Sequence, residues 1–349
     1  IRDEPLSGAQ HGIGLYLYND DAVARSLDVL GNDISGFQKN AMALNADAAT
    51  AVALDVTGNT ITGAGVLGLG LPAQNGIQAS GALVTGTIEN NVLTDIAYSG
   101  GSWEATSRLH YYRNFDVVGN SISGSQMGIY LIDGAGSITG NTWAMEKIGG
   151  YCWGIAASDP PEAVPSPFDM EVSGPMATSG LAMAPAAVLG LDISGNSVVF
   201  SGPDNTGTFG IELDAGYSAN DLAVTADGNV STGFEAGIEL WLCTSDCATG
   251  EFVSVEAHGN DLSGNTYGLR SGADYITVDA TGNWWGDATG PYHPTLNPGG
   301  AGSEVSDYVD FDPYMTGLYD VSVTLDPMTQ QPNMPFENVT LKKGEPTYV

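Results

Sequence analysis

A chain of 349 residues with 42% apolar side chains, 48 glycines and only 14% charged side chains has enough apolar mass for a long core and too much for a disordered polymer. Its 41 acidic against 9 basic residues leave a net charge of −32, which argues against nucleic acid and anionic membranes as partners, since both need cationic side chains to displace counterions. No apolar run reaches the roughly 18–20 residues that span a bilayer, and the acidity suits a salty or divalent-rich medium in which carboxylates are screened or bridged.

The chain starts at Ile1 with no basic-then-apolar leader, so the expectation is a processed or trimmed product. The stretch before Gly12-Ile13 is polar and offers no amphipathic cap helix. An uncapped solenoid end is a sheet edge, so the first coil is expected to need a partner.

From there one phrase returns: an apolar-polar-apolar triplet, a small residue, Gly-Asn, any residue, an apolar residue, then Ser or Thr and Gly. It runs Leu27 to Gly36 and Leu54 to Gly63, then Phe115 to Gly124, Gly136 to Trp143, Leu191 to Val198, Leu222 to Val230, Val253 to Gly264 and Ile276 to Trp284, with a variant at Thr87 to Leu93. Between these falls a second phrase, Gly-Ile and alternating residues, as in Gly128-Ile129-Tyr130-Leu131, Gly210-Ile211-Glu212-Leu213 and Gly237-Ile238-Glu239-Leu240. Successive Gly-Asn pairs lie mostly 21 to 33 residues apart, the period of a solenoid coil. Alternation buries Leu27, Val29 and Ile34 and leaves Asp28 and Asp33 in water. Strands this short bury a face only by stacking, and the Gly-Asn corner tolerates the left-handed backbone that a bend between sheets needs. The spacing predicts a right-handed parallel β-helix of about nine coils over residues 1–315, with a ladder of stacked asparagines. A sandwich or propeller would need hairpin turns and longer strands.

Two insertions break the rhythm. Residues 98–114 carry Trp103, Arg108, His110, Tyr111, Tyr112 and Arg113; residues 156–189 are rich in Pro, Ala, Met and Ser and read as a long loop or flap. The three cysteines make neither a disulfide framework nor a zinc site. Cys243 and Cys247 either close a small disulfide loop or stay as two thiols near a turn, and Cys152 reads as an apolar filler.

After the last coil come Asn283-Trp284-Trp285-Gly286, Gly290-Pro291, Asn297-Pro298-Gly299-Gly300 and Val309-Asp310-Phe311-Asp312-Pro313-Tyr314. These resemble the terminal segment of secreted bacterial and archaeal parallel β-helix repeat proteins, related in fold to pectate lyases and to the NosD-like repeat family. The resemblance implies the fold and an extracytoplasmic setting. The family spans enzymes, adhesins and structural proteins, so no activity comes with it. Trp284, Trp285, Phe311 and Tyr314 are expected to cover the C-terminal end. The tail, 316–349, alternates at Tyr319 to Leu325 and Val339 to Leu341 and reads as one or two strands that fold back on the rod or add to a neighbouring subunit.

Catalytic signatures are sparse. A lyase acting next to a uronate carboxylate needs an Arg or Lys base and usually calcium, and so negative a chain is a poor host for a polyanion. The adjacent-Asp, Gly-His-Gly and Arg-x-Lys set of pectinase-type hydrolases is missing, and Asp20-Asp21 reads as a solvated turn. The remaining candidate is the aromatic insertion, Trp103, Arg108, His110, Tyr111, Tyr112 and Arg113, joined by Trp143 and Trp153 as stacking faces for sugar rings; its alternative is a loop packed on the wall with its arginines paired to carboxylates. His11, His258 and His293 lack metal spacing. Stacked Asp and Asn side chains offer oxygen ligands for Ca²⁺, though no Asp-x-Asp-x-Asp loop or repeated calcium nonapeptide occurs. The first expectation is therefore a non-enzymatic extracellular surface or filament protein assembling with copies of itself. The rival is a polysaccharide-binding or carbohydrate-active protein, lyase or hydrolase.

Overall fold

A computed structural model of the chain describes residues 12–318, apart from 21–22, 47–49, 82, 101–108, 112–114, 133–134, 159–187, 217–218, 244–246 and 248. The expected tail strands, the residues before Gly12 and most of both insertions lie outside the described residues.

The chain is a right-handed parallel β-helix. Successive coils lay strands in turn on three sheets, sheet A with eleven strands, sheet B with ten and sheet C with seven, the last coils adding none to sheet C. All pairings between named strands are parallel and nearly all in register: along sheet B, for example, Val29, Val56, Ile88, Val117, Ile138, Ile193 and Ala226 stand directly above one another. These residues are 0–4% exposed and belong to one continuous apolar column. Sheet B places ten coils among the described residues, one more than the Gly-Asn count suggests, because the last is built by Gly302–Val305 and Val309–Asp310 without a Gly-Asn corner.

The corners explain the repeat. Gly31, Gly58, Gly119, Gly140, Gly195, Gly228, Gly259 and Gly282 have φ between 63° and 70°, and where glycine is missing Asn90 takes φ 53°. The next residue is an asparagine of the ladder. Asn32, Asn59, Asn91, Asn120, Asn141, Asn196, Asn229, Asn260 and Asn283 each donate an Nδ2–H to the following Oδ1 at 2.9–3.0 Å, up to Asn283, which donates instead to the carbonyls of Ala257 and Ala280. Each Oδ1 from Asn59 onward also accepts the backbone N–H of the preceding asparagine. From Asn59 onward every rung is buried at 0–1% exposure, so the amides' bonding capacity is met without water.

At the C-terminal end, Trp285 is fully buried in the column, and a Cβ on Gly268 would lie 2.6 Å from its ring, so glycine is required there. Phe311 is 6% exposed and Tyr314 packs on the same column, while the Gly282 N–H donates to the Pro313 carbonyl and the Met315 N–H to that of Asn283. Among the described residues the apolar column thus runs on through a further coil, with Trp285 buried in it.

Candidate active site

Sheet A carries a row of outward positions in strict register, Tyr130, Ala156, Glu212, Glu239 and Arg270, and His110 holds the register place next to Tyr130. Ile211 and Leu213 on one strand, Ile238 and Leu240 on the next, are fully buried on the inner face. Alternation then sends Glu212 and Glu239 outward on neighbouring strands, about 4.8 Å apart at the backbone. Glu239 is nonetheless only 3% exposed.

Arg270 accounts for much of that cover. Its Nε donates to Glu239 Oε2 at 2.6 Å and its Nη1 to Glu235 Oε1 at 3.0 Å. Its guanidinium carbon sits 5.8 Å from the centre of the Phe209 ring and 5.1 Å from that of Tyr267. Phe209 stacks in turn on Trp153, centroids 6.4 Å apart and 17° between planes, and Tyr151 lies 4.7 Å from Trp153. Trp153 also packs against Met127, Tyr130 and Ala156 on the outer wall. Beyond the glutamates along the strands, Asp214 stands in register with Trp241, which is 45% exposed.

The surroundings pull these carboxyls far from ordinary behaviour. Burial pushes Glu239 up to about 7, against the opposing pull of Arg270. Burial also raises Glu212 well above the usual carboxylate range, reinforced by Asp214 and Glu239 and opposed by the Trp153 indole and Arg270. The indole N–H approaches Glu212 without closing a well-formed hydrogen bond. The charges of Asp214 and Glu239 thus add to what burial does at Glu212, while Arg270 opposes it at both glutamates. The arrangement can hold a proton donor beside a carboxylate fixed by an arginine, on a wall with aromatic faces.

The residues singled out in the sequence divide. Trp153 belongs to this wall. Trp143 does not: it is 1% exposed inside the core, because its place in the strand Thr142–Met145 faces inward, and so it offers no face to a sugar. His110 and Tyr111 lie in the strand Leu109–Tyr111 of sheet A, His110 in register with Tyr130; Trp103, Arg108, Tyr112 and Arg113 lie outside the described residues. Cys243 and Cys247 are joined by a disulfide just after the strand Ala236–Leu242 that carries Glu239 and Trp241, and Cys152 is buried in the core. His293 is 2% exposed; its Nδ1 accepts the N–H groups of Thr295 and Leu296 and its Nε2 lies 3.3 Å from Asp307, a structural role in a turn. His258 sits between Asp227 and Asp279 on sheet B. Among the described residues no group of three or more His, Cys, Asp or Glu side chains converges as a metal site, and no helix is long and apolar enough to cross a membrane.

The fold and this wall define a parallel β-helix with two stacked glutamates, one buried and one half-buried, on an outer sheet. No family model matches the chain, and neither a curated protein nor a solved structure matches it.

Proposed function

We propose that the chain is an extracytoplasmic carbohydrate-active protein that hydrolyses a glycosidic bond at the Glu212–Glu239 pair. The observation that carries this is the in-register stacking of half-buried Glu212 beside Glu239, which is buried and bound to Arg270, both with raised pKa values, between the aromatic faces of Trp153 and Trp241. Two carboxyls kept in different protonation states are what glycoside cleavage requires. Glu212 gives its proton to the leaving glycosidic oxygen. Glu239, ionised and held by Arg270, bonds to the anomeric carbon as the leaving oxygen departs, and a water that gives its proton to Glu212 then displaces Glu239 from that carbon, the route that a one-strand separation suits. The Cys243–Cys247 disulfide and the terminal motifs' resemblance to secreted repeat proteins support the extracytoplasmic setting. The test is a reducing-sugar assay on a polysaccharide panel, with an unsaturated-uronate assay alongside. Reducing ends should appear without unsaturated products and be lost in Glu212→Gln; cleavage undiminished in that variant, or unsaturated products, contradicts the proposal.

A second reading, end-to-end assembly, is favoured by the first described coil. Tyr16, Val23 and Leu30 are 46%, 55% and 55% exposed there, and the strand Ile13–Asn19 is paired on one side only among the described residues. Electron microscopy at high protein concentration should then show rods joined end to end; dispersed single rods contradict it.

A further inference from the structure

We infer, resting on the reading above, that the outer face of sheet A at Glu212 and Glu239 takes a glycan free of acidic groups, neutral or bearing amino sugars, and rejects polyuronates. A uronate brings a carboxylate at every ring, and a site that accepts it must supply uncommitted positive charge. The described basic side chains do not supply it. Arg270 is committed to Glu239 and Glu235 and lies between the Phe209 and Tyr267 rings, and Lys147 is paired with Asp204 at 2.8 Å. Arg25 and Lys39 belong to the first two coils. What this face carries instead is carboxylate: Glu212 and Asp214, both half-buried, with Glu239 and Glu235 beneath Arg270.

Shape points the same way. Trp153 and Phe209 stand at one end of the strands and Trp241 at the other, so aromatic faces bracket the carboxyls along the strand direction. The six residues from Phe209 to Asp214 span about 16 Å, so the occupant lies along the strands, across the solenoid axis, over several sugar rings. Stacking on aromatic faces with hydrogen bonds from hydroxyls to carboxylates suits neutral sugars, and an ammonium group gains further from the acidic wall.

The experiment is binding of the full chain to an array of neutral, amino-sugar and uronate oligosaccharides of equal length at low salt, repeated with Trp241→Ala, whose exposed side chain can be removed without disturbing the core. Binding should be confined to neutral and amino-sugar members, with uronates at least about tenfold weaker, and should weaken in Trp241→Ala. A uronate bound as tightly as the others, and lost in Trp241→Ala, overturns the inference while leaving the glycan reading intact. No binding to any member removes the glycan reading and this inference with it.

Discussion

Sheets A and B both present acidic side chains outward, and the two faces treat them in opposite ways. On sheet B one register row reads Asp28, Asp55, Thr87, Asp116, Ser137, Asp192, Thr225, Glu256, Asp279 and Asp310. Its acids are exposed, and several are satisfied by a hydroxyl close by: Thr57 to Asp55, Ser137 to Asp116, Ser194 to Asp192 and Thr281 to Asp279. On sheet A, Glu212 and Glu239 occupy an equivalent alternation but lie under rings and an arginine. Desolvation works on Asp279 too, yet the hydrogen bonds from Thr281 and the His258 contact outweigh it and hold that carboxyl below its usual range, whereas burial wins at Glu239. Identical chemistry becomes a solubilising stripe on one wall and a proton-holding pair on the other, and the neighbours decide which.

The largest effect should come from Glu212→Gln, which keeps shape and removes the proton donor. We expect glycan cleavage to fall by roughly 10²–10⁴-fold with the fold retained, measured by turnover and circular dichroism. Asp116→Asn on sheet B should leave turnover unchanged.

Next is Arg270→Met, which strands Glu239 and Glu235. Chemical denaturation at pH 8 should show a loss of about 3 kcal/mol, and a smaller loss at pH 5, where the stranded acids can take up protons. Asp192→Asn, by contrast, should stay within about 0.5 kcal/mol.

The two walls should also oppose each other in pH dependence. Glu239 titrates near 7 when folded against an ordinary 4.5, so the folded state binds more protons between those values; its contribution is full below 4.5 and is lost as pH rises through 7. Asp279 is depressed, so its contribution is present above its ordinary 3.8 and is lost as pH falls through its lower folded value. Glu212→Gln should therefore raise the melting temperature at pH 8 and change it little at pH 4. The smallest effect is that of salt: like charges one strand apart along sheet B repel, so added salt should raise the melting temperature by a few degrees, less so in a variant with Asp28, Asp55 and Asp116 changed to Asn.

The architecture was legible because every coil repeats the same local demand. A left-handed Gly31 or Gly58 followed by Asn32 or Asn59, then an inward aliphatic such as Ile34 or Ile61, is a constraint written within ten residues and repeated at each turn. The tenth coil was missed because Gly302–Val305 and Val309–Asp310 form it without that corner. The carboxylate pair was half visible. Gly210-Ile211-Glu212-Leu213 and Gly237-Ile238-Glu239-Leu240 repeat a glutamate at the same outward slot, and Gly268-Leu269-Arg270 answers it with a cation. What the phrase does not carry is burial, which depends on Trp153, Phe209 and Tyr267 arriving from three different coils. Aromatic density points to residues 98–114 instead, and Trp143 is no platform because in Gly140-Asn141-Thr142-Trp143 it holds the inward slot that Ile34 and Ile61 hold.

The most direct test of the contrast between the walls is a carbon-13 NMR titration of the glutamate side-chain carboxyls, in the wild-type chain and in Glu239→Gln. The account predicts one glutamate resonance titrating near 7 that disappears in the variant. If every glutamate instead titrates at the ordinary value near 4.5, the wall does not hold its carboxyls apart from water and the contrast fails.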